Sequence, residues 1–90
     1  MARVTWTYQF PEITKTERTL SEQLEHVRRE VREAEEALTK GDRESTKEEL
    51  MDVIHAAETA LRMIPGGMSL HAMKAHVIAK NEERGYYDER

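Results

Sequence analysis

Two acidic pairs, Glu30 with Glu33 and Glu49 with Asp52, are the residues of this chain best suited to hold a cation. Each pair is spaced i, i+3, which on a helix puts both side chains on neighbouring positions of one face. All-oxygen donors suit a hard divalent ion, Mg²⁺ with Mn²⁺ as a workable substitute, rather than zinc. Like charges at this spacing cost about 0.2–0.5 kcal/mol per helical pair, so gathering them without paired cations points to a divalent ion among them. A solvated acidic face is the competing reading, because Glu35, Glu36, Glu44 and Glu48 are acidic too and Glu49 also fits as the last member of a capping box. Geometry alone leaves both open.

The elements that must position these carboxylates are helices. Thr19 and Glu22 fit a capping box, and Leu20, Leu24, Val27, Val31, Ala34 and Leu38 follow in steps of four and three, a narrow seam of coiled-coil type. Gly41-Asp42 marks a turn. A second helix is expected from about Ser45 or Thr46, with Leu50, Val53, Ile54, Ala57, Leu61 and Ile64 as its apolar face, ended by Pro65-Gly66-Gly67. Ser69 caps a third helix that runs to about Glu83, with Gly85 as terminator. The short turn makes the first two helices an antiparallel hairpin. At about 100° per residue both acidic pairs fall on the same flank of their own seams. With the turn centred at Gly41, Glu30 stands opposite Asp52 and Glu33 opposite Glu49. All four therefore share one rim of the hairpin.

Residues 3–10 alternate, with Val4, Trp6, Tyr8 and Phe10 on one side, and read as an extended aromatic arm or short strand stopped by Pro11. The expected organisation is an N-terminal arm over residues 1–18 and an all-α domain over residues 19–90. Ninety residues give a thin three-helix core. The heptad seam is expected to bury one side of the hairpin, while Ala34, Ala57, Ala60 and the arm leave apolar surface that three helices cannot cover, so the hairpin is expected to pair with a second copy as a four-helix bundle, in a homodimer or homotetramer. A net charge of −4 argues against binding a nucleic acid polymer or an anionic membrane. With no cysteine there are no disulfides or thiolate sites. No run is long and apolar enough to span a bilayer and no signal peptide opens the chain, so a cytoplasmic location is the expectation.

Glu30-Val31-Arg32-Glu33, then a gap of 15 residues, then Glu49-Leu50-Met51-Asp52 resembles the ExxE…ExxD signature of the MazG-like all-α nucleotide pyrophosphohydrolases. VRREVREAEEAL and KEELMDVIHAAETAL are similar to that family's two central helices, and Lys80-Asn81-Glu82-Glu83-Arg84-Gly85 to its C-terminal K-N-x-x-R-G pattern; the match covers about residues 20–87. The chain departs from the family pattern at Arg29, Arg32 and Ala34, which leaves the acidic positions intact, and the aromatic arm stands where a preceding helix is usual. The resemblance implies that Glu30, Glu33, Glu49 and Asp52 coordinate Mg²⁺. It further implies that Lys80 and Asn81 contact the nucleotide and that Arg84 helps with its phosphates.

The reaction implied is hydrolysis of a nucleoside triphosphate to monophosphate and pyrophosphate, with Glu33 as the candidate proton acceptor. Leu70, Met73 and Val77 mark the expected inward face of the third helix, and Lys80, Asn81 and Arg84 continue it; cations favoured at the negative end of the helix dipole are the plainer reading. Trp6 and Tyr86, with Tyr8 and Tyr87, are candidates to stack on a base or, more simply, packing anchors. The histidines carry little weight: Asp52 and His55 have ligand spacing, but a di-iron bundle needs a second acidic–His motif. Related chemistries, phosphoribosyl-ATP or deoxyuridine triphosphate pyrophosphohydrolysis, share the acidic cluster. From another class, a non-catalytic helical dimerisation module with a solvated acidic rim remains open.

Overall fold

The computed structural model describes residues 5–14 and 17–88, and its elements are three helices, α1 (Leu20–Thr39), α2 (Arg43–Arg62) and α3 (Leu70–Glu83), with no strand among the described residues. The chain is all-α. Each helix begins at a side-chain cap that satisfies an otherwise unpaired backbone N–H. The Thr19 hydroxyl accepts from the Glu22 N–H at 3.1 Å while the Glu22 carboxylate accepts from the Thr19 N–H at 2.9 Å, the reciprocal box expected there. Ser69 Oγ accepts from the Ala72 N–H at 3.3 Å.

The second helix starts earlier than Ser45 or Thr46. Asp42 caps it, with Oδ1 accepting from the Ser45 N–H at 3.0 Å and Oδ2 from the Ser45 hydroxyl at 2.8 Å. The reason lies in the turn. Gly41 sits at φ +72°, and the N–H groups of Gly41 and Asp42 donate to the carbonyls of Leu38 and Ala37, a Schellman closure that leaves Asp42 poised as the next cap. Three residues, 40–42, thus reverse the chain and make α1 and α2 antiparallel neighbours.

The two helices meet along small side chains. Ala34, Ala37, Ala56 and Ala60 are buried, together with Gln23 and Thr59. Gln23, only 1% exposed, bridges the hairpin by donating its Nε2–H to the Ala56 carbonyl at 3.0 Å, and its Oε1 accepts from Arg18. The seam of larger residues does not close the hairpin as expected. Leu24, Val31, Leu38, Leu50, Ile54 and Ile64 are exposed, Leu38 by 69%. Alanine methyls allow the backbones to approach closely; Leu24, Val31, Leu38, Leu50 and Ile54 turn away from the contact, and Leu20, Val27, Val53 and Leu61 are half-buried. Each buried methyl contributes about 0.8 kcal/mol, so the alanine stripe alone is a thin core.

Arg3 and Val4 of the alternating stretch lie outside the described residues, as do residues 1 and 2 and residues 15 and 16 of the expected arm. Residues 5–8 carry no regular structure and the chain bends at Gln9 and Phe10. What orders that bend is α2. The Glu58 carboxylate, 4% exposed, accepts from the Gln9 N–H at 2.8 Å and the Phe10 N–H at 3.0 Å. Arg62 donates to the Phe10 carbonyl at 2.8 Å and lies 4.0 Å over the Tyr8 ring. The Phe10 ring stacks on His55 with centroids 4.7 Å apart. Backbone polar groups that would have found a partner strand are satisfied by side chains instead.

The chain divides into two compact units. One is Tyr8–Pro65; the other brings residues 5–7 together with the chain from Gly66 onward. Within this second unit, Lys74 Nζ donates to the Thr5 carbonyl at 3.3 Å and lies 5.9 Å from the Trp6 ring centroid. The less exposed stripe of α3 is Ala72, Ala75, Ile78 and Asn81, with Leu70; Met73 and Val77, expected to face inward, are 41% and 38% exposed. Steps of three along an alanine-containing row have replaced the larger side chains on that face.

Candidate metal centre

Glu30 and Glu33 project from the middle of α1, and Glu49 and Asp52 from the facing turns of α2. The register set by the three-residue turn brings them to one level. Glu30, Glu49 and Asp52 each offer a carboxylate oxygen within 4.8 Å of the other two. Glu33 adjoins Glu30 and Glu49 and raises the pKa of each. Glu30, Glu33 and Glu49 are half-buried, and Asp52 is exposed. Three of the four residues singled out by their spacing, Glu30, Glu49 and Asp52, therefore form one group, with Glu33 beside it.

Its electrostatics are those of crowded carboxylates. Burial, reinforced by Glu33 and Asp52, holds the Glu30 carboxyl above its ordinary value, while Arg29 opposes the shift. Glu49 is raised as well, first by desolvation and then by Glu33, Asp52 and Glu30. Glu49 Oε2 is buried with no hydrogen-bond partner. Ion pairs outside the group join Arg28 to Glu25 and Lys47 to Glu44.

This donor set fits a divalent cation. Two oxygens opposed across a magnesium ion stand about 4.2 Å apart and across a calcium ion about 5 Å, so a 4.8 Å cluster needs only small side-chain movement to close on either. A cation among the oxygens would relieve the mutual repulsion and engage the orphaned Glu49 oxygen.

Two histidines flank the cluster; His55 has ligand spacing from Asp52, and His26 has no such pattern in the sequence. His26 Nε2 lies 3.4 Å from Glu30 Oε1. Burial, with Arg18 and Arg29, pulls the His26 pKa below its ordinary 6.5, so at neutral pH the imidazole is uncharged and this contact is not an ion pair. His55 stacks on Phe10. Between them is a cavity of about 160 Å³, lined by Glu30, Asp52, Gln23, His26, His55 and Ala56, with Ile13 contributed by the segment before α1. Gln23, Glu58 and Ile13 were not singled out from the sequence. Only Glu58 carries a signal, a charge out of place in the stretch that supplies the buried Ala56 and Ala60.

The remaining expected site residues belong to the α3 unit. Lys80 is exposed in the last turn of α3, Asn81 is half-buried, and Arg84 caps the helix and is exposed. The Asn81 and Glu82 carbonyls accept from the Tyr86 and Gly85 N–H groups, the same Schellman closure that ends α1. Trp6 is half-buried in this unit and Tyr86 is 65% exposed. No helix among the described residues is long and apolar enough to cross a membrane.

Comparison with known proteins gave no matching family model, no matching curated protein and no matching solved structure.

Proposed function

We propose that this protein is a Mg²⁺-dependent nucleoside triphosphate pyrophosphohydrolase of the MazG-like type, with Mn²⁺ able to replace Mg²⁺. The observation that carries the reading is the convergence of Glu30, Glu49 and Asp52 oxygens within 4.8 Å, from two helices. Those three carboxylates, supported by Glu33, would hold the ion. When bound, a divalent cation neutralises charge on the phosphates and lowers the pKa of a coordinated water.

The chain's own part is positioning and proton transfer. Water attacks the α-phosphorus, a new P–O bond forms, the bond to the bridging oxygen of the β-phosphate breaks, and pyrophosphate leaves with that electron pair. The proton lost by the attacking water needs an acceptor. Glu33 is suited to this because it borders both Glu30 and Glu49 yet stands outside the set of three mutually close oxygens. Lys80, Asn81 and Arg84 are assigned to the nucleotide and its phosphates through their match to the K-N-x-x-R-G pattern. Trp6 and Tyr86 remain candidates for base stacking.

The active form is a homodimer, or a homotetramer built from it, in which two hairpins pair as a four-helix bundle. Support comes from the face that α1 and α2 leave uncovered, where Leu24, Val31, Leu38, Leu50 and Ile54 are all at least 41% exposed. A row of apolar side chains at coiled-coil spacing gains most from burial against a similar row. The same face favours a second reading, a dimerisation module without catalysis. Pyrophosphate release from a panel of nucleoside triphosphates in Mg²⁺ decides between them. Turnover that disappears in Glu33→Ala and Asp52→Ala supports the enzyme; full activity in either variant, or no release from any triphosphate, refutes it.

A further inference from the structure

We propose that Gln23 is a positioning residue of this centre, locking the helix register that brings Glu30 level with Asp52; its bearing on metal rests on the reading above. Gln23 is 1% exposed, the one side chain under 2% among the described residues. Its Nε2–H donates to the Ala56 carbonyl at 3.0 Å, across 33 positions of sequence, and its Oε1 accepts from Arg18 at 3.2 Å. A guanidinium only donates and a carbonyl only accepts, so a single orientation of the amide satisfies both. Asn falls one methylene short of that reach, Glu lacks the donor, and Leu lacks donor and acceptor.

The lock has something to do because the rest of the contact is smooth. Ala34, Ala37, Ala56 and Ala60 present methyl groups, which have no directional preference and tolerate sliding. One buried, hydrogen-bonded polar group in an apolar helix contact sets its register. The buried residues of α1 are Gln23 near its start and Ala34 and Ala37 toward its end; Glu30 and Glu33 stand between them. At the closed end the Gly41–Asp42 turn fixes the register, and at the open end Gln23 does.

Helical geometry carries that lock to the carboxylates. Gln23 precedes Glu30 by two turns, about 10 Å, on the same face of α1, and Ala56 follows Asp52 by one turn of α2. Gln23, Ala56, Glu30 and Asp52 line one cavity. A slip of one residue would displace facing carboxylates by about 1.5 Å, whereas metal–ligand distances hold within about 0.2 Å. Fixing the open end therefore keeps the oxygens within reach of one ion.

Mn²⁺ titration of the full-length protein tests this, with the free ion followed by its paramagnetic resonance signal, well below the melting transition. Gln23→Leu keeps much of the bulk and should bind Mn²⁺ at least about tenfold more weakly, the usual cost of removing support behind metal ligands. Arg18→Met, at an exposed position, leaves Gln23 in place and should weaken Mn²⁺ by a smaller factor, whether or not Gln23→Leu folds. A packing role alone would lower Tm in chelator and leave the affinity of the folded protein unchanged. Register is read without metal. The chain has no cysteine, so spin labels at Glu25→Cys and Ile64→Cys report one distance across the open end, with excess unlabelled protein removing distances between copies. That distance should be narrowly distributed with Gln23 and broader with Gln23→Leu or Arg18→Met. Distributions unchanged in both variants, or wild-type Mn²⁺ affinity in both, would overturn the proposal. The two claims separate: a wild type that binds no Mn²⁺ removes the metal centre, while broadening in the variants still upholds the register lock.

Discussion

Neutralising one cluster carboxylate should stabilise the protein without cation and abolish its stabilisation by cation. The perturbation is Glu30→Gln, which keeps the shape of a side chain that is 13% exposed and removes its charge. Two unit charges 4.8 Å apart, the outer separation in the cluster, repel by about 1 kcal/mol in bulk water and about 3.5 kcal/mol at an effective permittivity of 20. Asp52 is solvent-exposed, so screening brings the gain to the lower end, about 1 kcal/mol. For a domain of this size that raises Tm by about 4–8 °C in chelator. The wild type should instead respond to Mg²⁺. A hundredfold excess over Kd contributes about 2.7 kcal/mol, which by the same conversion is about 10–20 °C. Circular-dichroism melts of both proteins, each with chelator and with Mg²⁺, give four values whose order should cross. A purely solvated acidic rim predicts no Mg²⁺ shift in either protein. Equal melting in chelator together with equal Mg²⁺ shifts would refute the reasoning.

Other consequences follow from the same geometry. Because the folded pKa values of Glu30 and Glu49 are raised, their contribution is favourable below the ordinary value of 4.5 and is lost as pH rises through the folded values. Cation-free wild type should therefore melt below Glu30→Gln/Glu49→Gln at pH 7, and the gap should narrow as pH falls toward 4.5; a constant gap would contradict the shifts. His26, lowered from 6.5, acts in the opposite sense in the wild type. Glu58→Ala strips the Gln9 and Phe10 N–H groups of their acceptor and should cost about 1–3 kcal/mol in urea melts, with faster proteolysis near residue 10. Ala56→Leu forces four-carbon bulk into the closest part of the hairpin and should cost about 1–3 kcal/mol. Ile54→Glu, on the uncovered seam, should convert a dimer at micromolar concentration into a monomer by sedimentation; a wild-type monomer there would remove the four-helix bundle.

The parts of this fold legible in the sequence are those whose causes are local. Thr19 with Glu22, Ser69, and the glycines at 41 and 85 act within one turn of the chain, and each falls where its residue type demands. The carboxylate group was legible because i, i+3 spacing and a short turn leave little freedom in register. The start of α2 was not, because Ser45 and Thr46 each precede a glutamate by three and so compete with Asp42 as apparent caps. The hairpin contact was misassigned for a physical reason. Periodicity shows which face of a helix is apolar, but not whether a neighbouring helix of the same chain covers it, and alanines were the side chains that let α1 and α2 approach. The roles of Gln23 and Glu58 were not legible for a similar reason, and His55 showed only its spacing from Asp52. Gln23 acts across the hairpin, and Glu58 and His55 act on the bend at Gln9 and Phe10, tertiary events that no local pattern announces.

Crystals soaked in Mn²⁺ with a non-hydrolysable nucleotide would locate the ion directly through its anomalous scattering. An anomalous peak enclosed by the oxygens of Glu30, Glu49 and Asp52, with Glu33 alongside, is the predicted result. Those side chains diverging into solvent around no peak would contradict it.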